Sequence, residues 1–312
     1  MWLLNAMIIA IAMYSKIPMP RVDWNEKNMR YAMCFFPLVG VIIGVLEIVA
    51  GNLITVWKGE GTFFYAVVLT LIPVFITGGI HLDGFADTMD AKSSYGDREK
   101  KLEILKDPHT GAFAIISLCC YFLLCVGIFS EMRIERLFAA ALVFVFSRSL
   151  SGISVVTFQA AKNSGLLRTF QDGAQKRNVR IVLIIWLLAA GVGFYLTAGL
   201  CGVAAAVVGL AVFFYYYQFS RKQFGGITGD LAGYFIFNRC ADACAVAVLE
   251  DLSCGCHCLL FHLRKLWQGG NQLKQQFGCV DGAFRFCCMS SLAGSCYLDA
   301  AFYCFYMVYL VV

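Results

Sequence analysis

Thr62-Phe63-Phe64-Tyr65-Ala66-Val67-Val68-Leu69-Thr70-Leu71-Ile72-Pro73-Val74-Phe75-Ile76-Thr77-Gly78-Gly79-Ile80 carries no charge. His81-Leu82-Asp83-Gly84-Phe85-Ala86-Asp87-Thr88-Met89-Asp90 follows it without a break. The first part is close to the ~20 residues that ~30 Å of hydrocarbon requires of a helix. The second is the densest polar stretch of the chain. Apolar runs of similar length lie at 32–57, 110–130, 137–158, 181–198 and 200–219. Together with 62–80 they make six spans, and the apolar segment 296–312 is a marginal seventh. Residues 2–14 are apolar but too short to cross. They are expected to form an interfacial or re-entrant helix, stopped by Pro18 and Pro20.

Composition points the same way. Of 312 residues, 60 % are apolar and only 14 % are charged, with mean hydropathy +0.72. A soluble domain carries about 25 % charged residues. So few charges cannot solvate a globule of this size, which argues against a soluble enzyme, a disordered chain, collagen or a coiled coil. The expected class is all-α, a polytopic integral membrane helical bundle of six to seven spans with an N-terminal interfacial helix. Its partner is the lipid bilayer, not nucleic acid. The loops 15–31, 81–109, 159–180 and 220–230 hold sixteen Lys and Arg, whereas the opposite loops hold only Lys58, Arg133 and Arg136. By the positive-inside rule the first set faces the cytoplasm. All the long polar loops then share one face, and a site built from them sits at the cytoplasmic interface.

Cysteine divides the chain. Five of the fifteen lie in the first 239 residues and ten from Cys240 onward. In the body they sit in apolar runs, where free Cys behaves as a small hydrophobe. Residues 1–250 read as one membrane-embedded domain and 251–312 as an atypical Cys-rich tail. Cys254-Gly255-Cys256-His257-Cys258 has zinc-ligand chemistry but lacks the usual two-residue spacing and a second pair, so it is not taken as a zinc site. The abrupt shift in composition is what a reading-frame slip near residue 235 produces.

Asp83, Asp87 and Asp90 are spaced by four and three, which on a helix places three carboxylates on one face. They repel one another unless a cation sits between them, and a hard-oxygen set suits Mg²⁺ held jointly with substrate phosphates. The segment 98–107 alternates charge with Leu102 and Leu105, as on an amphipathic helix along the interface. Arg98 and Lys106 are candidate phosphate contacts there, and Glu103 and Asp107 repeat the four-residue spacing. Arg148 lies within a span, where a charge normally faces a site or a partner. Lys162 and Gly165 give a weaker signal. Gly225-Gly226-Ile227-Thr228-Gly229-Asp230 could cradle an anion on backbone N–H groups, with Asp230 adding a metal or ribose contact. These parts suggest metal-assisted phosphoryl transfer with a substrate hydroxyl as nucleophile. His81 serves either as general base or to orient an Asp. Nothing points to a covalent nucleophile.

The block Gly78 to Asp90, with Arg98, Leu102-Glu103-Ile104-Leu105-Lys106-Asp107 and Gly111, closely resembles the cobalamin synthase family (adenosylcobinamide-GDP ribazoletransferases). So do Pro18-Met19-Pro20, Phe36-Pro37-Leu38-Val39-Gly40, Ser147-Arg148 and Gly225 to Asp230. The resemblance runs in order from about residue 2 to residue 234. It implies an enzyme of the bacterial cytoplasmic membrane that joins adenosylcobinamide-GDP to α-ribazole or its 5′-phosphate. The products would be adenosylcobalamin or its phosphate, and GMP, with a requirement for Mg²⁺. It further implies that Asp83, Asp87 and Asp90 hold Mg²⁺ and the pyrophosphate. Arg98, Lys106 and Arg148 would neutralise phosphate charge. By charge and position, Glu103, Asp107, Lys162, Gly225, Gly226, Gly229 and Asp230 are the further candidate substrate contacts. Assembly as a homo-oligomer stays open. Two departures stand out. Ala91 replaces a frequent Gly, and after Phe237-Asn238-Arg239-Cys240 the likeness stops. A CDP-alcohol phosphatidyltransferase-like enzyme is an alternative, but its Asp-Gly-x-x-Ala-Arg pattern is missing. A membrane transporter is another, but the charges crowd one interface and no repeat is visible.

Overall fold

The computed structural model describes residues 2–162 and 166–238. Expectations that fall on 163–165 and 239–312 lie outside the described residues: Gly165, the Cys254–Cys258 cluster, the segment 296–312, the whole 251–312 tail and the end of the 1–250 domain.

Among the described residues, eleven α-helices run in the order α1 (Trp2–Tyr14), α2 (Glu26–Met29), α3 (Phe36–Lys58), α4 (Phe63–Thr77), α5 (Ile80–Ser93), α6 (Arg98–Ile104), α7 (Ala112–Glu131), α8 (Leu137–Thr157), α9 (Leu166–Gly173), α10 (Lys176–Phe224) and α11 (Gly229–Asn238). Among the described residues there is no strand, only one isolated bridge between Ala160 and Ile227. The chain is therefore all-α, and its long apolar helices form a polytopic membrane bundle.

Helices α3, α7, α8 and α10 are each long and apolar enough to cross a hydrocarbon core, and α4 with α5 passes the same test as a bent pair. The 49-residue α10 is two crossings, as its sequence suggests. Gly199 breaks it with φ 55° and ψ −133°. The chain then reverses: Ala198 and Ala205 both pack on Ala139 near the start of α8, while Phe213 and Tyr216 meet Phe158 at its end. Outward-facing Ile185, Leu188, Leu196, Leu200, Val207 and Phe214 of α10 present apolar side chains as a bilayer requires.

The expected 62–80 span is shorter than its apolar run. Thr62 starts α4 by accepting the Tyr65 N–H on its hydroxyl. Gly78 and Gly79 then end it in consecutive left-handed conformations (φ 63° and 79°), which side chains rarely adopt. The turn sets α5 at 96° to α4, so α5 leaves the direction of crossing and carries the aspartates away from it. Helix α1, too short to cross, packs its Ala6, Ile9 and Ala10 into the bundle.

Candidate active site

The site is built where α5 and α11 touch. A side-chain carbon on Gly84 would lie 2.7 Å from the Asp230 carbonyl oxygen and 2.8 Å from its Cα. One on Gly233 would lie 2.9 Å from the His81 carbonyl. The helices can approach this closely only because glycine stands at both points. The contact brings Asp230 beside Asp83 and Asp87. Burial and then the neighbouring charges of Asp83, Asp230 and Asp90 push the Asp87 carboxyl from 3.8 up to about 6. Burial likewise raises Asp230, with Lys162 and Thr228 opposing. Thr228 starts α11: its hydroxyl accepts the Leu231 N–H at 3.2 Å and lies 3.4 Å from the Asp230 carboxylate.

Asp90 is used differently. Its two oxygens accept the N–H of Gly111 at 2.6 Å and of Ala114 at 2.8 Å, closing the start of α7. Among the described residues no three His, Cys, Asp or Glu side chains converge as a ready-made metal cage. Mg²⁺ usually takes only one or two carboxylates, completed by water and phosphate oxygens. Crowded Asp83, Asp87 and Asp230 fit that kind of shared site, with Asp90 committed to the helix cap.

A cavity of about 430 Å³ opens beside these carboxylates. Exposed Asp83, Lys106 and Gly229 stand at its mouth. Lys162 also lines it and donates to the Leu102 carbonyl at 3.2 Å. Burial and the charge of Lys106 lower the Lys162 ammonium, while Asp230 supports it. Farther in, buried Met33, Phe36, Val155 and Phe170 make an apolar end, with half-buried Tyr14 beside them.

His81 joins the two parts. It is 5 % exposed. Its ring stacks on Tyr14 (centroids 5.9 Å, 21°) and meets Phe36 edge-on. Burial, and secondly the charge of Arg148, lowers it to about 3, so the imidazole is neutral at physiological pH. Its Nε2 has no hydrogen-bond partner among the described residues. Arg148, 2 % exposed in α8, donates to the Phe144 carbonyl at 3.2 Å. It lies near enough to His81 for its charge to act there, and it does not line the cavity.

Several expected contacts lie elsewhere. Arg98 donates from Nε to the Phe224 carbonyl at 2.7 Å and packs on Gly225, holding the end of α10. Glu103 is exposed and pairs with Lys100 at 2.8 Å. Helix α6 ends at Ile104, so Asp107 does not continue its face. Asp107 instead accepts from His109, and its carboxyl is held below the usual range. Neither acid lines the cavity. Gly225 and Gly226 do not cradle an anion: their N–H groups go to Arg221 and Ser220 carbonyls in the C-terminal cap of α10. Residues singled out by position alone were not the whole lining, which also takes Tyr14, Met33, Phe170, Thr228 and Arg168. Thr228 lies inside the Gly225–Asp230 motif, and Arg168 carries a local signal in its four-residue spacing to Asp172, with which it pairs at 3.0 Å.

Residues 6–249 match the protein family described as cobalamin-5-phosphate synthase. The match continues past residue 234, where the motif-based likeness ends, so the chain keeps family character beyond Cys240. A protein of Lachnoclostridium phytofermentans described as adenosylcobinamide-GDP ribazoletransferase is 46 % identical over 249 residues, covering 79 % of this chain and 94 % of the relative. Proteins of the same description from Clostridium perfringens (strain SM101) and Geobacillus sp. (strain WCH70) are 32 % and 30 % identical. Each covers 74 % of this chain, with 92 % and 90 % of the relative. No solved structure matches the chain.

Proposed function

Since the chain belongs to the cobalamin-5-phosphate synthase family, we propose that it is an adenosylcobinamide-GDP ribazoletransferase. A hydroxyl of α-ribazole, or of its 5′-phosphate, attacks the phosphorus nearer cobinamide. A new P–O bond forms, the bond to the distal phosphate breaks, and GMP leaves with the electron pair. The hydroxyl proton passes to a base at the site or to water. The observation that carries the reading is a single cavity lined by Asp83, Asp230, Lys106, Lys162 and His81.

Each residue then has a task. Lys106 and Lys162 offset pyrophosphate charge, Lys162 with an ammonium that is partly desolvated and so a stronger partner. His81 lines the cavity two residues before Asp83, where its ring positions the nucleophile for attack. Arg148 adds positive charge near that ring from within α8. Asp83, Asp87 and Asp230 would hold Mg²⁺, which when bound supplies electrostatic stabilisation to the phosphates. We place the enzyme in the bacterial cytoplasmic membrane with this mouth facing the cytoplasm, supported by the sixteen basic residues on that side.

The test is incubation of membranes containing the full chain with adenosylcobinamide-GDP, α-ribazole and Mg²⁺. The expected result is equimolar GMP and adenosylcobalamin. No GMP under these conditions, or equal GMP without α-ribazole, refutes the proposal.

A further inference from the structure

The cavity is too small for both substrates and its two ends differ in chemistry. Pockets that enclose a drug-sized ligand run about 300–1,000 Å³, and this one holds about 430 Å³. That accommodates one nucleoside or nucleotide. Adenosylcobinamide-GDP joins a corrin macrocycle to two nucleosides and is several times larger. Only a part of it can enter.

The inner end decides which molecule does. Met33 and Phe36 are almost fully buried there, Phe170 closes the wall, and Tyr14 and Phe36 pack at 4.3 Å between ring centroids. A flat, uncharged ring with few polar edges satisfies such walls through offset stacking and sulfur–aromatic contact. The benzimidazole of α-ribazole is a ring of this kind. Guanine has more polar edge to satisfy than these walls offer, where Ser151, one turn from Val155, and Arg168, two residues from Phe170, are the neighbouring polar side chains. Between this end and the charged mouth stands His81, whose ring lines the cavity.

Resting on the ribazoletransferase reading, we infer that the enclosed cavity is the seat of α-ribazole alone. Its base lies among Met33, Phe36 and Tyr14, its ribose lies beside the His81 ring, and the corrinoid donor reaches in only with its pyrophosphate at the mouth. The lower base is therefore selected by an apolar pocket made in part by α1 and by the residues that precede α3. The guanine and the corrin ring stay outside the bundle's interior.

Two measurements on the full chain in lipid nanodiscs test this. First, titration calorimetry with α-ribazole in the absence of donor should show stoichiometric binding, and excess GMP should not displace it. Second, in steady-state GMP release, Tyr14→Leu and Met33→Gln should each raise the KM for α-ribazole about fivefold to tenfold. The KM for adenosylcobinamide-GDP should stay within about twofold, which also reports that the variants are folded. Binding that needs the donor, displacement by GMP, or a raised donor KM with an unchanged ribazole KM overturns the assignment. Wild-type enzyme that releases no GMP refutes the activity itself, a result distinct from each of these.

Discussion

Gly84→Ala probes the contact on which the site depends. The added methyl would sit 2.7 Å from the Asp230 carbonyl oxygen, 2.8 Å from its Cα and 3.1 Å from its carbonyl carbon. These are backbone atoms of a helix and cannot rotate away. Reaching the 3.4 Å edge of ordinary contact requires α11 to retreat by about 0.7 Å. Overpacking of this size costs about 1–3 kcal/mol, while replacing Gly by Ala inside a helix returns about 1 kcal/mol. The net loss is about 0–2 kcal/mol, so the protein stays folded and melts a few degrees lower at most. Activity responds far more strongly, because Asp230 moves relative to Asp83 and Asp87. A displacement near 1 Å costs about 100-fold in rate where groups act in concert. The assay is GMP release by purified protein, paired with thermal melting. Gly127→Ala is the control, since its methyl would meet nothing within 4 Å, and it should retain full rate. A Gly84→Ala enzyme within about threefold of wild type would refute the argument that this crossing sets the geometry of the site.

Asp90→Ala should lower the melting temperature, since two N–H groups at the start of α7 lose their acceptor at a cost of about 1–2 kcal/mol. Asp90→Asn should lose less, and wild-type melting of the alanine variant would contradict the capping role. Glu103→Gln and Asp107→Asn, both at exposed positions, should change GMP release by no more than about twofold. A tenfold loss would return them to the site. For pH, Asp87 is raised from 3.8 to about 6 in the fold, so the folded state binds more protons than the unfolded chain across that window. Its contribution to stability is therefore present at acid pH and is lost as pH rises toward 6 and beyond. In EDTA, wild type should lose melting temperature relative to Asp87→Asn as pH rises from about 4 to 7. The opposite trend would show that Asp87 is not crowded by its neighbours.

The membrane spans were legible because a crossing of lipid demands an unbroken apolar run, and six such runs stand in the chain. The spacing of Asp83 and Asp87 was legible for a similar reason: helical period alone puts them on one face. Asp90 shares that spacing, yet its oxygens go to α7, whose start is fixed by the turn at Pro108 and Gly111 and not by anything local to Asp90. Glu103 and Asp107 do not share a face because α6 ends at Ile104, with Leu105 as its cap, before the helix reaches Asp107. Gly225 and Gly226 look like an anion cradle in one dimension, but a helix that ends at Phe224 needs two N–H groups to cap it. Tyr14, Met33 and Phe170 are apolar residues in apolar surroundings, and only the packing of α1 and α9 near α5 and α8 turns them into cavity walls. Asp230 was visible as a candidate, whereas its meeting with Asp83 depends on a long-range contact between Gly84 and α11.

The central claim is that carboxylates from two helices, Asp83 on α5 and Asp230 on α11, act on one phosphate centre. GMP release should be compared among wild type, Asp83→Asn, Asp230→Asn and the double variant, all at saturating Mg²⁺ and both substrates. The account predicts that each single change costs at least about 100-fold and that the double variant is little worse than either, as for groups that work as a unit. Near wild-type rates for either single variant, or losses that simply multiply, would contradict it.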